Sequence, residues 1–181
     1  MAALLLCACH KTKSAQVKPD NVINVSELIS SDNADMTSRY DDYVWYETQI
    51  LLNNFIDDEY AGVSEVTNIF QIVEGEGDSY DTKVIRYTHN GTSDTREEIP
   101  GFWVEDCIID TVAITFEHSL DIINQVNFAK PHSKHVVLRR ELGPVINNAQ
   151  WIYGNIQSQL YVDAVDGIVR DSSPSFPKEN E

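Results

Sequence analysis

Cysteine and positive charge are scarce in this chain of 181 residues. Its three cysteines, Cys7, Cys9 and Cys107, make no disulfide framework of the kind that staples small secreted folds. Thirteen Lys and Arg against 29 Asp and Glu leave a formal charge of −16. Such a field repels phosphate backbones and excludes nucleic acid as a partner, because that binding needs basic contacts that release counterions. It also opposes a peripheral electrostatic hold on anionic lipid and favours solubility and a basic partner. No run approaches the roughly 18 apolar residues of a spanning helix. Gly-x-Ser-x-Gly, His-Glu-x-x-His, phosphate-loop, Cys-x-x-Cys and Gly-x-Gly-x-x-Gly signatures are all missing, and nothing in the sequence calls for a cofactor.

What is present begins at the N-terminus. Met1 to Ala8 is nearly all apolar, and the run stops at Cys9 before the polar His10-Lys11-Thr12-Lys13. Leu6-Cys7-Ala8-Cys9 resembles a bacterial lipobox, with leucine three before the cysteine and a small residue just before it. The resemblance implies that residues 1–9 are the end of a signal peptide whose basic segment lies upstream, with Cys9 as the lipid attachment site. Two or more acyl chains hold a membrane stably, so the implied partner is the membrane, through a lipid anchor. His10 instead of Asp after that cysteine is similar to the sorting pattern of outer-membrane lipoproteins facing the periplasm. The competing reading is a cytosolic chain with an apolar start. Cys107, left alone, has Glu105 and Asp106 beside it and Ile108-Ile109 after it, which favours a buried structural thiol over a nucleophile.

The body of the chain divides by composition. Residues 10–38 are rich in Ser, Asn, Asp and Lys and read as a flexible tether, about 30 Å long as a random coil. Residues 39–110 and 111–170 read as two α+β units, and 171–181, with Pro174 and Pro177, as a disordered tail. In the first unit, Val44, Trp45, Leu51, Leu52 and Phe55 recur at helical spacing and predict a helix over 42–55. Strand-like runs follow at 63–74, 82–89 and 96–109, with Asn90-Gly91 as a hairpin signal. In the second, Thr115 caps a helix running to about 129, which Pro131 stops. Strands are expected at 135–142, 149–153 and 159–169, the last splitting at Asp166-Gly167. The expected fold is α+β, two helix-plus-antiparallel-meander units with helices packed on a curved antiparallel sheet.

Ile114-Thr115-Phe116-Glu117-His118-Ser119-Leu120 and, later, Tyr161-Val162-Asp163-Ala164-Val165-Asp166-Gly167-Ile168-Val169 carry a family resemblance. They resemble a PepSY-type repeat, with Asp166 where that family carries threonine. The resemblance implies a small non-enzymatic envelope module, sometimes in tandem, associated with binding or restraining proteases. The tandem order is also similar in outline to the beta-lactamase inhibitor protein fold and to cystatin-like modules. Read from its residues alone, the same segment is a strand with a tight Asp166-Gly167 turn, and Asp163 faces outward beside Tyr161.

Candidate binding residues are few. Four of the thirteen Lys and Arg, Lys130, Lys134, Arg139 and Arg140, cluster with His132 and His135. The pair His132 and His135 has spacing compatible with a metal, yet the Pro131 junction favours a solvated basic loop. Alternation along the strand places His135, Val137 and Arg139 on one side, where an arginine fork suits an anion or carboxylate. Trp103, with Trp151 and Tyr153, is either a binding hot spot or core, and core is favoured. The candidate set is therefore His132, His135, Arg139, Trp103, Tyr161 and Asp163, with no catalytic or metal assignment.

Two functions follow. The first is a cell-envelope lipoprotein acting as a non-enzymatic protein-binding or inhibitory module, with an unidentified protein partner. The second is an envelope hydrolase using an unrecognised Asp/Glu/His site. Expression from the full upstream reading frame tests the anchor: a mature chain beginning at acylated Cys9 is expected in the membrane fraction and is lost in Cys9→Ser. An uncut soluble chain in both would contradict it.

Overall fold

Residues 44–52 are rich in Val, Trp, Tyr, Thr and Ile, side chains suited to a pleated surface. They form a strand, β1 (Val44–Leu52), and not the helix that their apolar spacing predicts. The computed structural model describes residues 23–60, 62–76, 79–101, 107–145 and 147–176. Cys9, residues 10–22 of the expected tether, Trp103 and residues 177–181 lie outside them.

Three strands follow β1: β2 (Val63–Glu76), β3 (Ser79–His89) and β4 (Asp94–Pro100). Four more come after residue 130: β5 (His135–Arg139), β6 (Gln150–Asn155), β7 (Ser158–Asp163) and β8 (Val169–Arg170). All are antiparallel, in the order β4-β3-β2-β1-β5-β6-β7-β8. The join is β1 against β5, from Glu47↔Arg139 to Leu51↔His135. One eight-stranded, sheet-dominated fold with two short helices thus replaces the expected pair of helix-plus-meander units, whether PepSY-like or of the beta-lactamase inhibitor type. The physical reason is that both flanks of β1 are hydrogen-bonded, so the two meanders share one sheet instead of closing separately.

The first helix lies where a tether is expected. α1 (Val25–Arg39) starts at Asn24, whose side chain accepts from the Glu27 N–H at 3.2 Å. α2 (Phe116–Gln125) starts at Thr115, which accepts from the His118 N–H, and ends four residues short of the expected position. The segment expected to fray also packs in part. Ser175 is fully buried, donates to the Glu141 carbonyl at 3.2 Å and lies against Gly143. The Asn90-Gly91 hairpin is a four-residue loop between His89 and Asp94, with Gly91 at φ +75° and Asn90 Oδ1 accepting from the Thr92 and Ser93 N–H groups.

Both helices lie on one face of the sheet. Ile50, Val66, Val136, Leu138, Trp151, Tyr153, Leu160 and Val162 point to that side and form the main core with Val25, Phe116 and Ile123 of the helices. Met36 of α1 packs with Phe70, Ile72, Ile85 and Tyr87 in a second cluster. An antiparallel sheet covered on one side in this way leaves its other face for solvent or a partner. Trp151 fills the centre of the covered side, fully buried, edge-on to Phe116 at 5.8 Å, its indole N–H donating to the Ile114 carbonyl at 2.7 Å. Trp151→Ala is expected to cost roughly 3–5 kcal/mol of unfolding free energy by denaturant titration, the range for large-to-small aromatic core changes. A loss under about 1 kcal/mol would remove Trp151 from the core.

Candidate functional site

The side of the sheet away from the helices carries four of the six candidate residues, His135, Arg139, Tyr161 and Asp163. Alternation along each strand places Glu47, Gln49 and Leu51 of β1 there, and the ladder aligns other strands with them. One row crosses the sheet as Glu97, Arg86, Ile69, Glu47, Arg139, Gln150 and Asp163. The next runs Thr95, Thr88, Thr67, Gln49, Val137, Ile152, Tyr161 and Arg170. Gln49, Thr95, Glu97 and His135 are exposed, and Arg86, Thr88 and Val137 are half-buried. The middle of the face is closed, since Glu47, Thr67, Ile69, Gln150, Ile152, Tyr161 and Asp163 are buried, and the accessible part is a mixed patch in which Thr67 and Thr88 are joined through their hydroxyls at 3.1 Å.

His135 and Arg139 share this face, as strand alternation predicts. The Arg139 guanidinium reaches Glu141 at 3.4 Å, and its Nε is buried without a partner. It borders a cleft of about 320 Å³ with Tyr46, Glu47, Leu142 and Phe176. Tyr46 is the extra residue of a bulge between Trp45 and Glu47. Cys107 lies in the same cleft and is partly buried.

His132 sits apart on the loop before β5, stacked on Phe55 at 3.8 Å with Nδ1 3.1 Å from both Asp57 oxygens. Ser133 and Lys134 separate it from β5, and the Ser133 hydroxyl accepts from the His135 backbone N–H. Among the described residues, no group of three or more His, Cys, Asp and Glu is arranged to hold a metal ion.

Tyr161 and Asp163 do not project outward beside one another as the sequence predicts; both are buried. The Tyr161 hydroxyl donates to Gln159 at 2.6 Å, and burial raises its pKa. Asp163 is the hub of the turn after β7. It accepts from the Val165 and Asp166 N–H groups and from the amides of Asn148 and Gln150. Burial alone would raise its pKa, but these hydrogen bonds outweigh burial and hold the carboxyl below its ordinary value of 3.8. Its role is to close a turn, which the bland reading of Asp166-Gly167 anticipates.

The group missed from the sequence lies on the covered side. Asp32 of α1 is 4% exposed, accepts from Asn68 Nδ2 at 2.6 Å and faces His89 Nε2 at 3.0 Å. Asn68 in turn accepts from the Thr48 hydroxyl at 2.5 Å, while His89 Nδ1 faces Asp94 at 2.9 Å. A ring with a carboxylate at each nitrogen satisfies both when it is the doubly protonated imidazolium. A turn further along, Asp35 accepts from Tyr87 at 2.6 Å and from Arg39 at 2.8 Å. Arg96 spans the faces of Tyr40 and Tyr87 and pairs with Glu98 at 2.7 Å. Burial, and then the Asp35 bond, push the Tyr87 hydroxyl up to about 12.

These groups clamp a weakly amphipathic helix to the sheet. The legible signal was the Asn24-x-x-Glu27 capping pattern, a helix start that apolar periodicity does not register. Residue pattern alone cannot pair Asp32 with His89, which is 57 positions away.

Compared with known proteins, the chain matches no family model, and no curated protein or solved structure matches it.

The clamp has a pH signature. Burial lowers the His89 pKa, but the bonds to Asp32 and Asp94 outweigh it, and the net value lies above the ordinary 6.5. Burial raises Asp32 above 3.8 despite the bonds from Asn68 and His89. Both groups therefore bind protons more tightly folded than unfolded. The His89 contribution is complete below pH 6.5 and is lost as pH rises through its raised folded value, and the Asp32 contribution also declines on the alkaline side of 3.8. Unfolding free energy is expected to fall as pH is raised from 6 through 9, with the dependence flattened in His89→Gln. An equal slope in both proteins would contradict the clamp.

Proposed function

We propose that this chain is an outer-membrane lipoprotein, anchored through Cys9 and facing the periplasm, that acts as a non-enzymatic module binding a basic protein partner on its open sheet face. The observation that carries the reading is the placement of both helices on one side of an eight-stranded sheet. On the opposite side, which neither helix covers, Gln49, Thr95, Glu97 and His135 are exposed and Arg86, Thr88, Val137 and Arg139 are half-buried. A surface of that breadth suits a protein better than a small molecule. The net charge of −16 selects a basic partner and predicts association that weakens with salt. The lipobox-like Leu6-Cys7-Ala8-Cys9 supports the anchor. Among the described residues, no helix is long and apolar enough to cross a membrane.

The hydrolase reading has less support. Its best constellation, Asp32, His89 and Asp94, engages both ring nitrogens, leaving neither to take a proton from a nucleophile or water.

A photo-crosslinking side chain at Gln49 or Thr88, in cells, is expected to give one discrete adduct with a basic protein. The adduct should weaken with added salt and be absent with the crosslinker at Ser38 on the helical side. Equal adducts from both sides, or none from Gln49 and Thr88, would contradict the proposal.

A further inference from the structure

A cleft lies on the covered side of the sheet, away from the proposed partner face. It measures about 550 Å³ and lies between α1, the start of β1 and residues 108–115. That volume falls within the range of small-molecule sites, about 300–1,000 Å³. We propose that it binds a neutral saccharide.

The walls restrict the ligand by chemistry. Among the described residues no Lys, Arg or His lines the cleft, and Asp110 is the one lining carboxylate. Another carboxylate, Glu117, accepts from the lining hydroxyl of Ser26 at 2.5 Å. Phosphates, nucleotides and organic acids would therefore find no cation of their own among those lining residues, since the neighbouring Arg140 is engaged by Asp110 at 3.5 Å. An acyl chain would leave the hydroxyls and amide of the wall without water or partner, which is unfavourable. A ring bearing hydroxyls on an apolar carbon frame satisfies both kinds of surface.

Aromatic rings supply the apolar wall. Trp45 and Tyr43 are partly buried, and both are set against Phe70, at 6.4 Å and 5.8 Å between ring centroids. The Trp45 indole N–H donates to the Glu47 carbonyl at 3.3 Å, so what the ring offers the cleft is hydrocarbon surface. Trp151 packs beneath the cleft and is itself fully buried.

The polar wall is interleaved with it and has capacity to spare. The Ser30 hydroxyl donates to the Ser26 carbonyl at 2.9 Å and keeps its lone pairs. Thr115 Oγ1 accepts from the His118 N–H at 3.2 Å and keeps its O–H. Asn33 donates one amide hydrogen to the Ile29 carbonyl at 2.9 Å and keeps the other. Asp110 meets Arg140 through Oδ2, which leaves Oδ1 to accept. Donors and acceptors placed beside fixed aromatic rings match the alternating hydroxyls and C–H faces of a pyranose.

The test is nuclear magnetic resonance on nitrogen-15-labelled protein, reading the Trp45 indole signal, assigned with Trp45→Phe. The probes are glucose, galactose, N-acetylglucosamine, maltose, cellobiose and chitobiose, with inorganic phosphate and decanol as contrasts. At least one saccharide is expected to shift that signal saturably at millimolar concentration. Ser30→Trp fills the cleft from an exposed helical position and should weaken the interaction by about tenfold or more, and Asp110→Ala should weaken it severalfold, each with the remaining amide spectrum unchanged. No saturable shift with any saccharide would overturn the proposal. So would a shift that Ser30→Trp leaves intact, or equal binding of phosphate or decanol. Because the cleft and the open face lie on opposite sides of the sheet, a negative result here leaves the crosslinking outcome independent.

Discussion

The pairing of β1 with β5 is the constraint on which the rest of this molecule depends. Without it the chain is two four-stranded meanders, each with an open edge where β1 or β5 ends. With it, Glu47 to Leu51 are hydrogen-bonded on both sides and every strand is aligned to a single pleat. That pleat sends Ile50, Val136, Tyr153 and Leu160 to one face and Gln49, Val137, Ile152 and Tyr161 to the other. A one-residue slip at this ladder would reverse the faces of a whole half relative to the other. Core and open face are consequences of the same register.

The covered side is built in two ways. Over β5 to β7 the cover is apolar, with α2 bringing Phe116 and Ile123 onto Trp151, Tyr153 and Val162, and Ser119 bonding the buried Tyr153 hydroxyl at 2.6 Å. Over β2 and β3 it is mixed, with Met36 of α1 packed on Phe70, Ile72, Ile85 and Tyr87 while Asp32 and Asp35 bond Asn68, His89 and Tyr87. The Asp32–His89–Asp94 and Asp35–Tyr87 bonds do there what a stripe of leucines does elsewhere, and they add direction that apolar contacts lack. Between the two helices the packing leaves the cleft beside Trp45 and Tyr43. On the other side the exposed residues Gln49, Thr95, Glu97 and His135 alternate with buried ones such as Glu47, Ile69 and Gln150.

How much of this was legible in the sequence depends on the type of signal. α2 carries a capping threonine, an apolar stripe and a proline stop, and it stands close to where those place it. The strands from β5 to β7 and the alternation of His135, Val137 and Arg139 follow from period two. β1 misled because its apolar residues, read at 3.6 spacing, fit a helix; the bulge at Tyr46 breaks the strict alternation that would have identified the strand. α1 was hidden for the opposite reason: Ser, Asn and Asp fill it, and its attachment is through polar partners distant in sequence. Of the candidate residues, His135 and Arg139 stand together on the open face, while Tyr161 and Asp163 are buried and His132 lies on a separate loop. Asp163 faces the side that alternation assigns it, but turn closure and neighbouring side chains bury it, which no single-strand pattern conveys. Both errors come from tertiary context overriding local preference.

Native-state hydrogen exchange on β1 and β5 tests the central claim of one continuous sheet with a helical side and an open side. The β1 and β5 amides bonded across that join should be among the slowest in the chain and open together with the strands on both flanks, through global unfolding. Exchange of β5 to β8 as a unit of lower stability, with the β1 amides facing β5 unprotected, would show two separate meanders and contradict the account.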